Sequence, residues 1–78
     1  MLSAKIISLE KTEVYSNLQA ITLPAYFGQT QILSGHAESF FILQPGNIVL
    51  RQKNGKEKAI NIQQSFAHIQ GDNLIVLY

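Results

Sequence analysis

The 78-residue sequence has no cysteine, no tryptophan and only two prolines. Without cysteine it can hold no disulfide staple, thiolate metal site or thiol nucleophile, and it suits a reducing compartment. Charge is scarce as well: 14% of the residues are charged, six basic against five acidic, for a formal net charge of +1. Soluble domains average about 25%. No whole-molecule field is available for nucleic acid or an acidic membrane, because binders of either carry a strongly basic surface. Nowhere do about 18 apolar residues run consecutively. The N-terminus, Met1 to Ser8, lacks a long apolar stretch behind a basic head. The chain is therefore expected to be soluble and cytoplasmic, with no direct membrane insertion. Its length leaves room for one domain, residues 1–78, which buries about 60 to 65% of its unfolded surface and excludes a large cleft with separate substrate and cofactor halves.

What the sequence does have is a 46% hydrophobic content, too apolar for a disordered segment. The few charges fall unevenly, with none from Val14 to Ala37 or from Ser39 to Leu50, and five between Arg51 and Lys58. Short apolar runs rich in β-branched and aromatic residues, separated by turn residues, predict an all-β domain. Strands are expected at Ala4 to Leu9, Glu13 to Ser16, and Leu18 to Leu23, where Pro24 stops the third by lacking an amide donor. Ala25 to Gly35 reads as a loop around a short strand at Ile32-Leu33, and Glu38 to Leu43 as strand. Gln44-Pro45-Gly46-Asn47 predicts a type II turn with positive φ at Gly46. Asn54-Gly55 predicts a type I′ hairpin that sets Arg51 opposite Lys58 and Val49 opposite Ile60. Strands at Ser65 to Ile69 and Leu74 to Tyr78, joined by a turn at Gly71-Asp72-Asn73, bring the total to about nine and suit a sandwich.

Chemistry-bearing residues do not cluster. His36 and His68 are far apart in sequence and few carboxylates accompany them, so a metal site would lack ligands. His68 reads as a partly buried strand residue with one ring nitrogen hydrogen-bonded. His36, at the end of a charge-free loop, either contacts a partner or stabilises its turn. Ser34 lacks the strand-turn-helix setting of a nucleophile elbow, the acids show no paired spacing, and no glycine-rich phosphate loop precedes a helix. No catalytic, cofactor-binding or metal residue is assigned, and an enzyme would need His36 with a carboxylate in a pocket. The basic hairpin end Arg51 to Lys58, interrupted by Glu57, reads as a solvated tip rather than a phosphate grip. Phe40-Phe41 must point to opposite faces, so both are covered only if a second layer or a partner covers the outer one. Tyr26-Phe27 either plugs a sandwich end or meets another protein.

The order Thr22-Leu23-Pro24, Gly28, Ile32-Leu33-Ser34-Gly35-His36-Ala37 and Leu43-Gln44-Pro45-Gly46 resembles the epsilon subunit of bacterial and chloroplast F-type ATP synthases. That family commonly shows Thr-Leu-Pro, a Gly-rich loop, Ile-Leu-Pro-Gly-His-Ala-Pro and Leu-x-Pro-Gly in this order, then a Gly-Gly-Phe strand and a closing Val-Thr-Val-Leu strand. The last two correspond to Gln64-Ser65-Phe66 and Leu74-Ile75-Val76-Leu77. The resemblance implies a flattened, ten-stranded antiparallel β-sandwich in the central rotor stalk, non-catalytic, linking the gamma subunit to the c ring so that ion-driven rotation is coupled to ATP synthesis. It would act as a monomer within a hetero-oligomer, peripheral on the cytoplasmic face of the energy-coupling membrane. By matched position it implies c-ring contact at Gly28, Gln29 and Thr30 and gamma contact at His36 and Ala37.

Three departures bear on the transfer: Ser34 for the usual Pro, Glu38 for the Pro after His-Ala, and Gln29 where an acidic residue is frequent. Gln64-Ser65 for Gly-Gly suggests a less closely approached backbone. Most members continue into two helices that can inhibit ATP hydrolysis; here the chain stops at Tyr78, so inhibition by that route is expected to be absent. Either the natural subunit is short or the helices have been removed; the initiator methionine and the lack of a tag lean only slightly towards the first. The competing reading is a free-standing β-sandwich that binds a peptide or small ligand through the loop at 26–37.

Overall fold

The computed structural model describes all residues from Met1 to Tyr78. Eight strands form, and no helix: β1 (Leu2–Ile7), β2 (Thr12–Ala25), β3 (Gly28–Leu33), β4 (Ser39–Leu43), β5 (Gly46–Gln52), β6 (Glu57–Ile62), β7 (Ser65–Gln70) and β8 (Asn73–Leu77). The molecule is flattened, with extents of 28 × 25 × 18 Å. Its thickness accommodates two sheets about 10 Å apart with their outward side chains.

The two layers are joined by β2. Its first half pairs with β1, and its second half lies between β3 on one side and β5 on the other. One layer is β3, the second half of β2, β5 and β6; the other is the first half of β2, β1, β8, β7 and β4. The strand changes layer at Asn17, which takes φ of 56° next to irregular pairing around Leu18. Asn accepts this left-handed conformation more readily than most residues with a Cβ. This is why two expected strands, Glu13 to Ser16 and Leu18 to Leu23, are halves of one 14-residue strand, and why there are eight strands rather than nine. All pairings are antiparallel except β1 with β8, which is parallel.

The inward faces meet in one core of 17 buried residues, including Leu2, Ile6, Ile21, Leu23, Ile32, Leu43, Ile48, Ile69 and Val76. Alternation along each strand selects these positions: β1 buries Leu2, Ala4 and Ile6 and turns Ser3, Lys5 and Ile7 outward.

Several expectations about turns are corrected. Pro24 does not stop the strand; it sits opposite Gln29 near the end of β2, and its carbonyl accepts the Gln44 amide at 2.9 Å. Ala25 to Gly35 is no loop but a hairpin, with Tyr26-Phe27 as its two-residue tip and β3 beginning at Gly28. Gly46 does not adopt positive φ, so the type II turn is absent. Its missing side chain serves close approach instead, since a Cβ there would lie 3.1 Å from the Pro24 Cβ. The Asn54-Gly55 hairpin pairs Arg51 with Glu57 and Ile48 with Ile60, one residue out of the expected register. Gly55 alone takes positive φ, 87°, while Gln52 accepts the Gly55 amide and donates to the Lys56 carbonyl. That is a three-residue loop ending in a bulge, not a type I′ turn. The expected clash of Arg51 with Lys58 is replaced by an Arg51–Glu57 ion pair at 3.1 Å.

Candidate functional site: an apolar sheet face and its flanking turns

Which layer's outer face meets solvent benignly can be read from the cross-strand rows. Outside the β5 layer run Gln31, Thr22, Val49 and Ala59 in one row and Leu33, Arg51 and Glu57 in the next, where Ala20 lies buried between Leu33 and Arg51, a mixed surface. The other layer differs. Its first row is Val14, Lys5, Ile75, His68 and Phe40, and its second is Thr12, Ile7, Leu77, Phe66 and Ile42. Seven of these ten side chains are apolar, and Lys5 is the one obligate charge. Phe40 is 76% exposed and Phe66 65%, with Ile42, Ile75 and Leu77 also open. Five strands at about 4.8 Å spacing make this apolar strip about 19 Å across. Phe40, Phe66, His68, Ile75 and Leu77 outline a shallow hollow of about 420 Å³ on it. Contiguous apolar surface of this kind on a small domain marks a contact surface, for a protein, a membrane or an apolar ligand.

At one end of the face His68 organises the polar chemistry. Its ring stacks on Phe40, centroids 4.1 Å apart and planes within 2°. Its Nε2 donates to Glu38 Oε2 at 2.8 Å. The expectation of a partly buried strand histidine with one hydrogen-bonded nitrogen matches this arrangement. His36 lies in the connection from β3 to β4. Its amide donates to the Leu33 carbonyl at 3.2 Å, its Nδ1 donates to the Ala37 carbonyl at 2.7 Å, and its ring tilts against Phe41 at 6.2 Å. The histidine that meets a carboxylate is therefore His68 on the open face, not His36 in a pocket. No three His, Asp or Glu side chains converge into a metal site.

The two sets of site residues predicted from the sequence are not brought together. Gly28, Gln29 and Thr30 begin β3, beside the exposed tip Tyr26-Phe27, whereas His36 and Ala37 follow its far end. Gly28 lies about 17 Å along β3 from Leu33, and Thr30 about 10 Å, at about 3.4 Å per residue, with Ser34 and Gly35 following before His36. Tyr26 and Phe27 are 72% and 79% exposed, so they do not plug the sandwich. The basic hairpin end is solvent-exposed, its one arginine held by Glu57.

Sequence reasoning raised the two-sidedness of Phe40-Phe41 but missed Ile42, Phe66, Ile75 and Leu77 as members of the same surface. A signal was present: Phe40 to Leu43 and Leu74 to Leu77 are apolar without alternation, as strands are when both faces are covered.

Fold and surface together define a class, a small two-layer β-sandwich whose chemistry lies on its outer faces rather than in a cleft. Within that class the chain belongs to the family described as ATP synthase, Delta/Epsilon chain, beta-sandwich domain, which it matches over residues 1–78. It is 34% identical over 77 residues to the ATP synthase epsilon chain of Cyanothece sp., covering 97% of this chain and 54% of that one. The epsilon chain of Acaryochloris marina is 32% identical over 77 residues, with the same coverage. The chain thus spans about half the length of the curated relatives it matches. Among solved structures, a chain of the Euglena gracilis mitochondrial ATP synthase, OSCP/F1/c-ring, superposes with a TM-score of 0.87 at 21% identity, covering 95% of this chain and 48% of that one. A chain of the Tetrahymena thermophila mitochondrial ATP synthase central stalk and c-ring gives 0.80 at 13% identity, covering 97% and 61%. At those identities the likeness is one of fold.

Proposed function

We propose that this chain is a non-catalytic linking domain of the central stalk of an F-type ATP synthase, joining the gamma subunit to the c ring so that ion-driven rotation reaches the catalytic subunits as torque. The observation that carries it is the open apolar face, which pairs with family membership over the whole chain. A linker needs two separate contact surfaces, and the sandwich offers two. Gamma packs on the face of β1, β8, β7 and β4, with His36 and Ala37 at its margin. The c ring meets the far end, through Gly28, Gln29 and Thr30 beside Tyr26-Phe27. The domain works peripherally, on the cytoplasmic face of the energy-coupling membrane, through its partners; no helix of the chain is long and apolar enough to cross a membrane. The reading concerns linkage alone and assigns these residues no part in inhibiting ATP hydrolysis.

Gln29 is exposed and uncharged, so the ring contact rests on packing and neutral hydrogen bonds rather than long-range attraction. A pull-down with this chain as bait recovers gamma if the reading holds; saturable binding of a small ligand without gamma favours the free-standing module instead. Gln29→Glu and Gln29→Arg test the second surface, and normal assembly and coupled synthesis in both would remove Gln29 from it. The competing reading has lost its premise in one respect, because residues 26–37 are a hairpin tip, an edge strand and a turn rather than one recognition loop.

A further inference from the structure

The five residues between β3 and β4, Ser34 to Glu38, connect the two layers and carry His36 and Ala37 at their middle. Both ends of this connection are tethered to the layer that bears the apolar face. At its far end Glu38 accepts from His68 Nε2 at 2.8 Å. At its near end the carboxylate of Asp72, from the β7–β8 turn, takes two bonds from consecutive residues: Ser34 Oγ donates to Oδ2 at 2.6 Å and the Gly35 amide to Oδ1 at 3.0 Å. Asp72 is itself fixed. Its carbonyl accepts the Ser3 amide at 2.8 Å, the N-terminal ammonium lies 3.5 Å from Oδ2, and the neighbouring Asn73 Oδ1 accepts from Ser3 Oγ at 2.7 Å. Gly71 supplies the positive φ, 61°, that such a tight turn requires at its first central position.

From this geometry we infer that Asp72 is a positioning residue for partner docking: it clamps the Ser34-Gly35 turn so that His36 and Ala37 stand as a rigid margin of the apolar face. The inference rests on the proposed docking of gamma on that face. A connection between two layers has no ladder partner of its own, and Gly35, at φ of 84°, adds conformational freedom at the point where direction is set. Ordering such a segment during binding would subtract from affinity, and a segment already ordered avoids that loss. The turn is closed by the His36 amide on the Leu33 carbonyl, and two charge-assisted bonds to Asp72, which are stronger than neutral ones, add to that order. The Ser34 hydroxyl, then the Gly35 amide, hold the Asp72 carboxyl below the usual carboxylate range, the direction expected if both bonds favour its ionised form.

The test uses Asp72→Ala, and Asp72→Ala combined with Ser34→Pro, in which a ring that restricts φ replaces the lost tether. In the free chain, amide exchange at Gly35 should quicken about tenfold or more in Asp72→Ala, as an amide loses its acceptor. The dissociation constant for purified gamma subunit should rise about tenfold, and the added Ser34→Pro should recover most of it although the hydrogen bonds stay lost. Thermal unfolding confirms that each variant is folded. Unchanged Gly35 exchange overturns the clamp. Faster exchange with unchanged gamma affinity, or a loss of affinity that Ser34→Pro does not relieve, overturns the positioning role. If the unmodified chain fails to bind gamma, the docking reading falls, while the Gly35 exchange rates still decide whether the clamp exists.

Discussion

Truncating Phe66 to alanine separates binding from folding, because this side chain sits mid-row on the open face and contributes nothing to the buried core. A phenylalanine presents about 150 to 250 Å². With 65% of it exposed in the free chain, about 130 Å² is left for a partner to cover. At about 25 cal/mol per Å² that is about 3 kcal/mol, or on the order of 100-fold in the dissociation constant. The folding cost is smaller. Phe66 faces Ile42 and Leu77 across the strands, and losing such a pair costs about 0.2 to 1 kcal/mol, or about 1 to 8 °C of Tm per pair in a domain of this size. Calorimetric titration of the purified chain into gamma subunit gives the first number, and thermal unfolding by circular dichroism gives the second. Gln31→Ala, exposed on the opposite face, is the control and should change neither. Because Lys5 is the face's one obligate charge, affinity should also vary little with salt. A Phe66→Ala variant that is folded and binds gamma as tightly as the unmodified chain would refute the assignment of this face.

Other consequences concern the scaffold. Gly46→Ala should destabilise by about 1 to 3 kcal/mol in urea titrations, since its Cβ would press on Pro24 at 3.1 Å, without any change in backbone conformation being demanded. Ser65 is buried with its hydroxyl unpartnered, so Ser65→Ala should leave stability equal or raise it by about 1 kcal/mol; a loss would show that the hydroxyl is satisfied. Tyr15 donates to Glu13 at 2.6 Å, and this bond, with burial, pushes its hydroxyl up to about 12. The folded state then holds a proton that the unfolded chain releases near 10, so stability should decline from pH 10 to 12, and Tyr15→Phe should flatten that part of the curve.

The β class was legible because apolar runs with turn residues between them need no tertiary information. The errors lie where local sequence is compatible with two answers and distant residues choose. Asn54-Gly55 fits both a two-residue turn and a three-residue loop with a bulge; the second prevails as Ile48 and Ile62 face the core and Arg51 reaches Glu57. Pro24 could stay in its strand because the amide it lacks is near the strand's end, where its carbonyl still serves Gln44. Asn17 gave no warning that a strand would change layers there. His36 and Ala37 were identified through resemblance, but their tether, Asp72, lies more than thirty residues away and looks like an ordinary turn residue in sequence.

The sparse charge with which the sequence began has a structural counterpart: the segment from Ser39 to Leu50 contributes Phe40 and Ile42 to a face that carries little charge and is left open. The most direct measurement is of ion pumping driven by ATP hydrolysis in membranes whose synthase has been stripped of its epsilon subunit. Added chain should restore pumping and raise the ions moved per ATP hydrolysed, without suppressing hydrolysis. Chain that binds the stripped enzyme and leaves it uncoupled, or strongly inhibits it, would contradict the account.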